Sequence, residues 1–139
     1  EKTGECVVKD DMSDVYRMYE EAGVIILASP IYFYAMPGQV KCLVDRAQAM
    51  WSRRYLLKTP EQRKTYDSGK GYLIGVGATR GQNLFEGLQL TARYFYDALD
   101  MSYEGGLFYR KLDKKDAINE HPEMLQEAFE LGRKAAGKI

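Results

Sequence analysis

Three aromatic residues in a row, Tyr32, Phe33 and Tyr34, stand just after an apolar run and just before Pro37 and Gly38. Neither a core strand nor a surface helix uses three consecutive aromatics, because both send neighbours to different faces. A loop facing a flat ligand does. Farther along, "ATRGQN" supplies matching chemistry: Ala78, Thr79 and Gly81 are small, and Arg80 carries one guanidinium. A planar heteroaromatic ring suits the pair, since an aromatic side chain stacks on its face while backbone N–H groups reach its polar edge. Gly77 and Gly81 allow close backbone approach, and Arg80 would favour a reduced, anionic form of such a ring. Spacing alone leaves a second reading open, in which the aromatics are packing or subunit contacts.

The surrounding elements decide whether these loops can meet. Asp10 and Asp11 precede Val15, Met18, Tyr19 and Ala22 at helical spacing, which predicts an amphipathic helix with a carboxylate cap, ending near Gly23. Val24 to Ser29, "VIILAS", is a continuous apolar run of strand length, the pattern of a parallel strand covered on both faces. Val40, Leu43, Val44, Ala47, Met50 and Trp51 recur on one helical face, and Ser52 to Lys70 is a polar surface excursion marked by Pro60 and Gly69. Gly71 to Gly77 predicts a second strand, followed by a helix carrying Leu84, Leu88, Thr91, Phe95 and Leu99. Met101 to Phe108 reads as a third strand interrupted by Gly105 and Gly106. Pro122 opens a last helix with Leu125, Ala128, Phe129 and Ala136. Strands alternating with helices imply an α/β fold of parallel βαβ units with helices on both sheet faces. In such sheets ligands sit beyond the carboxyl ends of the strands, where both loops lie.

A length of 139 residues predicts a single domain, 1–139. Twenty basic residues balance twenty acidic ones, so no overall field favours nucleic acid or an anionic membrane. No apolar run approaches the roughly 20 residues of a membrane helix, and the opening "EKTGECVVKDDM" lacks the pattern of a signal peptide, so a cytoplasmic location is expected. Cys6 and Cys42 form no close pair and encode neither a disulfide framework nor a four-cysteine zinc site. Cys42 reads as a small buried hydrophobe. Asp45 and Arg46 are adjacent and point to different sides of a helix, which suits structural or interface roles. Arg53 and Arg54 could attract the extra phosphate of NADPH, and a solvated helix end explains them as well; His121, before Pro122, reads as a turn or cap. Tyr94, Phe95 and Tyr96 cannot share one helical face, so Phe95 belongs in the core and at least one tyrosine outside it. Eleven tyrosines, five phenylalanines and one tryptophan exceed what one small core takes, which favours a homo-oligomer, dimer or tetramer.

The stretch "ASPIYFYAMPGQVKCLVDRAQAMW" resembles the flavodoxin-like NADPH-dependent FMN reductase family, in particular its iron–sulfur flavoprotein branch. There an apolar strand runs into Ser-Pro-x-Tyr-Phe and then a helix bearing a lysine and an Asp-Arg pair. Ser29, Pro30, Tyr32, Phe33, Lys41, Asp45 and Arg46 match, and "TGECVVKDDM" is similar to the end of a cysteine-bearing loop. The resemblance implies a flavodoxin-like three-layer sandwich. It also implies that Pro30, Ile31, Tyr32 and Phe33, with Ser29 behind them, line the isoalloxazine of FMN, while Ala78, Thr79, Arg80 and Gly81 form a second flavin loop at its pyrimidine edge. The implied reaction moves a hydride from NADPH or NADH to the flavin, and then electrons to a quinone, a flavin, an aromatic or a redox protein. The cofactor carries that chemistry, so no catalytic side chain is expected.

Family members begin with a strand and a Ser/Gly/Asn/Thr-rich loop that captures the FMN phosphate at a helix N-terminus. The sequence has no such segment, so the expectation is that one or more N-terminal strands precede Glu1. Cys6 falls where the last of four cluster cysteines would stand, and an iron–sulfur cluster is expected only if three more lie upstream. Two rival readings remain from the residues: a non-enzymatic FMN electron carrier, and a flavin-free interaction module of the same fold.

Overall fold

Residues 3–137 are described by a computed structural model. Along the chain run α1 (Met12–Glu21), β1 (Val24–Pro30), α2 (Gly38–Arg46), α3 (Gln48–Leu57), β2 (Gly69–Gly77), α4 (Glu86–Ala98), β3 (Met101–Arg110) and α5 (Pro122–Ala135). The strands pair in the order β1-β2-β3, all parallel, as the alternating pattern predicts. Side chains alternate along β3 on either side of one extra residue between Tyr103 and Gly106, which returns Tyr103 and Phe108 to the same face. Phe108 packs on Phe85 beside α4 and Tyr103 stacks on Tyr96 of α4, with ring centroids 5.3 and 5.9 Å apart. Tyr109, the neighbour of Phe108, therefore faces the opposite layer, where its hydroxyl donates to the Met124 carbonyl of α5 at 3.0 Å.

The main core lies between the sheet and the layer of α1 to α4, with Tyr19, Leu73, Leu88, Phe95, Tyr96 and Met101 all buried. Gly71 shows how closely α4 is drawn in. A Cβ there would lie 2.2 Å from the Tyr96 ring. The Tyr96 hydroxyl donates to the Tyr72 carbonyl at 2.5 Å and accepts the Leu27 N–H at 3.2 Å. A glycine that ordinarily weakens a strand here seats the side chain that ties β1 to β2.

Several expectations change. The single helix across Val40–Trp51 is two, broken at Ala47, whose N–H returns only three residues, to Val44 at 3.0 Å. The Arg46 carbonyl left at the break accepts the Tyr16 hydroxyl at 2.8 Å. The bend also aims Arg46 at Asp10, which it grips through both terminal nitrogens at 2.8 and 2.9 Å, while Asp45 pairs with Lys41 on the other side. The carboxylate at the start of α1 that accepts a backbone N–H is Asp10, bonded to Met12 at 3.2 Å, and Asp11 makes no cap bond. Cys42 is exposed, not buried, because α2 turns it away from the sheet. β1 is not covered on both faces. Its Ile25 and Leu27 pack on the core, but Val24 and Ile26 are exposed, and its outer edge has no strand partner among the described residues.

Arg54 is not a solvated helix end either. Its side chain is only 4% exposed and donates to Asp100 at 2.8 Å, Asp97 at 3.0 Å and the Arg63 carbonyl at 2.8 Å. Lys58 joins Asp100 to Asp67, so this network pins the excursion after α3 to the end of α4. The third strand runs through Gly105 and Gly106 to Arg110, accommodating one extra residue by a register shift opposite Gly71–Leu73. Phe95 and Tyr96 are buried and Tyr94 is outside, in keeping with helical geometry. His121 stands at the cap position of α5, its ring against Glu123. No helix among the described residues is long and apolar enough to cross a membrane.

Candidate functional site

Parallel register sets Pro30 opposite Val76, so β1 and β2 deliver their following loops side by side. The Ile31 N–H extends the ladder by one bond, to Val76 at 2.9 Å. Tyr32 and Ala35 then exchange both backbone bonds, at 3.1 and 3.0 Å, closing a two-residue turn with Phe33 and Tyr34 at its tip. Both tip residues are left-handed, with φ of 50° and 62°. A turn of this kind favours Asn-Gly, and for an ordinary side chain the conformation costs about 1–2 kcal/mol per residue.

Tyr34 braces the turn against the second loop. A Cβ on Gly81 would lie 2.3 Å from the Tyr34 hydroxyl, and one on Gly87 would lie 2.5 Å from the Tyr34 carbonyl. The glycine that the sequence offers for close approach is thus used first by Tyr34, at the seam between the loops. Arg110, at the carboxyl end of β3, holds the second loop from its far side. It donates to the Gly81 carbonyl and, at 3.1 Å, to that of Gln82, with its guanidinium 5.2 Å from the Phe85 ring centre. Sequence reading passed over Arg110, although a charged residue ending the third strand falls on the same sheet edge.

The predicted site residues separate into two groups. Ser29 is buried and its hydroxyl is spent on the Pro30 carbonyl at 2.8 Å. Ile31 is half-buried against the core. Pro30, Tyr32, Phe33, Ala78, Thr79 and Arg80 are exposed around the lip, and Gly81 is half-buried at the seam. Arg80 makes no ion pair among the described residues. The N–H groups of Phe33, Tyr34, Ala78, Thr79, Arg80 and Gly81 likewise find no backbone acceptor there. Two facing loops with unpaired donors and flat apolar side chains fit the carbonyl- and nitrogen-bearing edge and the broad faces of a flavin ring.

The NADPH-dependent FMN reductase family matches residues 1–102. The chain belongs to that family. An "Iron-sulfur flavoprotein" of Archaeoglobus fulgidus is 35% identical over 86 residues, which cover 60% of this chain and 40% of that protein. The Trp repressor binding protein from Bacillus subtilis superposes with a TM-score of 0.64 at 19% identity, covering 85% of this chain and 73% of its own. An NADPH-quinone reductase from P. pentosaceus does so at 0.59 and 16% identity, covering 94% and 77%. The fold of this FMN reductase family member is therefore flavodoxin-like, as the resemblance implied. The chain spans well under two thirds of the curated relative's length.

Cys6 lies apart from the loops. Its thiol is held below the ordinary value chiefly by the Val8 backbone N–H, and also by Arg46, whose Nη2 stands 3.6 Å away. No group of three His, Cys, Asp or Glu residues able to hold a metal occurs among the described residues, and one thiol beside a guanidinium does not make a cluster site.

Proposed function

We propose that this protein is an FMN-dependent oxidoreductase in which the loops after β1 and β2 hold the flavin ring between them. The observation that carries the reading is the set of unpaired N–H groups, from Phe33 and Tyr34 on one loop and Ala78 to Gly81 on the other, at the adjoining carboxyl ends of two parallel strands. When bound, FMN supplies a ring that takes a hydride from NADPH or NADH and passes two electrons onward. With a quinone the balance is NAD(P)H + H⁺ + quinone → NAD(P)⁺ + hydroquinone. The chain's own contribution is placement. Backbone donors orient the polar edge, Pro30 to Phe33 and Ala78 to Gly81 frame the faces, and Arg80 supplies positive charge where negative charge accumulates on reduction.

A second copy of the chain is the proposed partner, seated in the cavity of about 450 Å³ between α2–α3 and α4, whose wall includes the exposed Trp51, Leu90 and Tyr94. Lys41 and Asp45, paired on its rim, would meet their own counterparts with opposite charges across a two-fold axis. The match to an iron–sulfur flavoprotein favours one other reading, an electron carrier that binds FMN but reacts slowly with nicotinamides. Anaerobic mixing of the full-length protein with FMN and NADPH, followed in the flavin absorbance band, separates the two. Rapid bleaching is expected, and FMN bound without bleaching by either nicotinamide leaves only the carrier.

A further inference from the structure

The loop after β3 leaves the sheet on the side away from β1. Lys111, its first residue, is left-handed, with φ of 65°, a conformation that costs an ordinary side chain and suits glycine or asparagine. Both of its neighbours are anchored. Arg110 donates to the carbonyls of Gly81 and Gln82, and the Leu112 N–H donates to the Gly77 carbonyl at 3.3 Å. Lys111 is thereby pinned beside the second flavin loop, and it is exposed. Lys114 and Lys115, in the turn closed by the bond from the Ala117 N–H to the Lys114 carbonyl at 3.2 Å, are exposed as well. None of the three lysines makes an ion pair among the described residues. Every basic residue of α1, α2 and α3, by contrast, pairs with a carboxylate: Arg17, Lys41, Arg46, Arg53 and Arg54. Asp113 and Asp116 lie on the same loop and offset part of its charge, but three lysines outnumber them and Arg80 and Arg110 stand alongside, so this edge stays positive.

We infer that Lys111, with Lys114 and Lys115 adding to its field, is a specificity-determining residue that pairs with the 2′-phosphate of NADPH and so selects it over NADH. The inference rests on the proposed function above and deepens its nicotinamide step. Position supports it. With the flavin ring between the loops after β1 and β2, the end of β3 lies one strand farther on, about 5 Å beyond the second loop. A dinucleotide whose nicotinamide meets the ring can lay its adenosine half there. A phosphate monoester carries about −1.5 to −2 charge at pH 7 and rewards ammonium groups that act on it as point charges. Arg53 and Arg54, the alternative that the sequence offers for that phosphate, are spent on Glu20, Asp97 and Asp100.

The test uses the full-length protein loaded with FMN and two probes that need no turnover, adenosine 2′,5′-bisphosphate and 5′-AMP, titrated by calorimetry. Lys111→Asn keeps a residue suited to the left-handed position and removes the charge, while Lys111→Arg keeps the charge. The wild type is expected to hold the bisphosphate roughly tenfold more tightly than 5′-AMP, the scale of one hydrogen bond to a charged group. Lys111→Asn should weaken the bisphosphate by about the same factor and leave 5′-AMP within about twofold, and Lys111→Arg should restore the preference. In steady state Lys111→Asn should raise the KM for NADPH in proportion, while the KM for NADH, kcat and the melting temperature hold. A wild type that does not distinguish the two probes overturns the inference, and so does a Lys111→Asn protein that keeps the preference. An FMN Kd that weakens in Lys111→Asn overturns it too, because the lysine would then serve the cofactor's own phosphate. A protein that holds the bisphosphate through Lys111, yet whose flavin neither nicotinamide bleaches, sinks the reductase reading alone.

Discussion

Gly81→Ala tests the seam between the two loops. The added methyl would sit 2.3 Å from the Tyr34 hydroxyl oxygen, 3.0 Å from Cζ and 3.2 Å from Cε1. The first distance is an overlap, while the other two are tight contacts that shifts of a few tenths of an ångström relieve. Tyr34 is half exposed, so its ring can swing outward, and the folding cost should be near the low end of overpacking, about 1 kcal/mol. Losing the ring from the lip should weaken FMN by about 0.5–1.5 kcal/mol, roughly two- to tenfold in Kd. Tyr34→Phe deletes the one atom that overlaps. In the Gly81→Ala background it should recover most of both losses, giving a coupling of about 0.5–1.5 kcal/mol in a double-mutant cycle. Melting temperature and FMN fluorescence quenching read the two corners independently. Additive effects within about 0.3 kcal/mol would show that Tyr34 does not rest on Gly81, and an unchanged FMN Kd in Gly81→Ala would remove the seam from the flavin site.

Arg110→Met should free the second loop and weaken FMN severalfold with little change in melting temperature; equal affinity would make Arg110 irrelevant to the loop. Tyr96→Phe strands the Leu27 N–H between β1 and β2 and should cost about 1–3 kcal/mol, or about 3–9 °C in a thermal melt, with the secondary-structure signal intact. At Asp100 burial pushes the carboxyl up, but hydrogen bonds from Lys58 and Arg54 prevail and hold it below the usual carboxylate range. A depressed folded value means stability that is present above the unfolded value of about 4 and lost as pH falls through the lower folded one. Asp100→Asn should therefore lower the melting temperature at pH 7 and flatten its decline below about pH 4; parallel curves for the two proteins would contradict the network. Tyr94→Glu combined with Trp51→Glu should convert the proposed oligomer to monomer in sedimentation velocity, and an unchanged assembly would move the interface elsewhere.

Much of this architecture is legible in the pattern of residues. Continuous apolar runs at Val24–Ser29 and Gly71–Gly77 specify parallel strands because only buried strands tolerate them, and the strand boundaries fall within two residues of expectation. What the pattern conceals are features that depend on a partner distant in sequence. The break at Ala47 leaves no local signal, since alanine favours helix, and it becomes intelligible only once Tyr16 and Asp10 are seen waiting for Arg46. Arg54 reads as surface because charged residues rarely go inside without partners, and its partners lie more than forty positions away at Asp97 and Asp100. Ser29 belongs to a recognisable motif, yet its hydroxyl turns inward to Pro30.

The turn at Phe33 and Tyr34 is where local preference and tertiary placement conflict most openly. Every strand pairing and buried glycine in the sheet lowers the energy of the fold, whereas this turn raises it by about 2–4 kcal/mol for two residues that asparagine or glycine would spare. Tyr34 offsets its share through contacts with Gly81 and Gly87 that also fix the spacing of the two loops. Phe33 has no such return among the described residues. A cost without an internal benefit places the benefit in a bound state, and the sheet edge where it occurs is the one toward which the unpaired N–H groups of both loops converge.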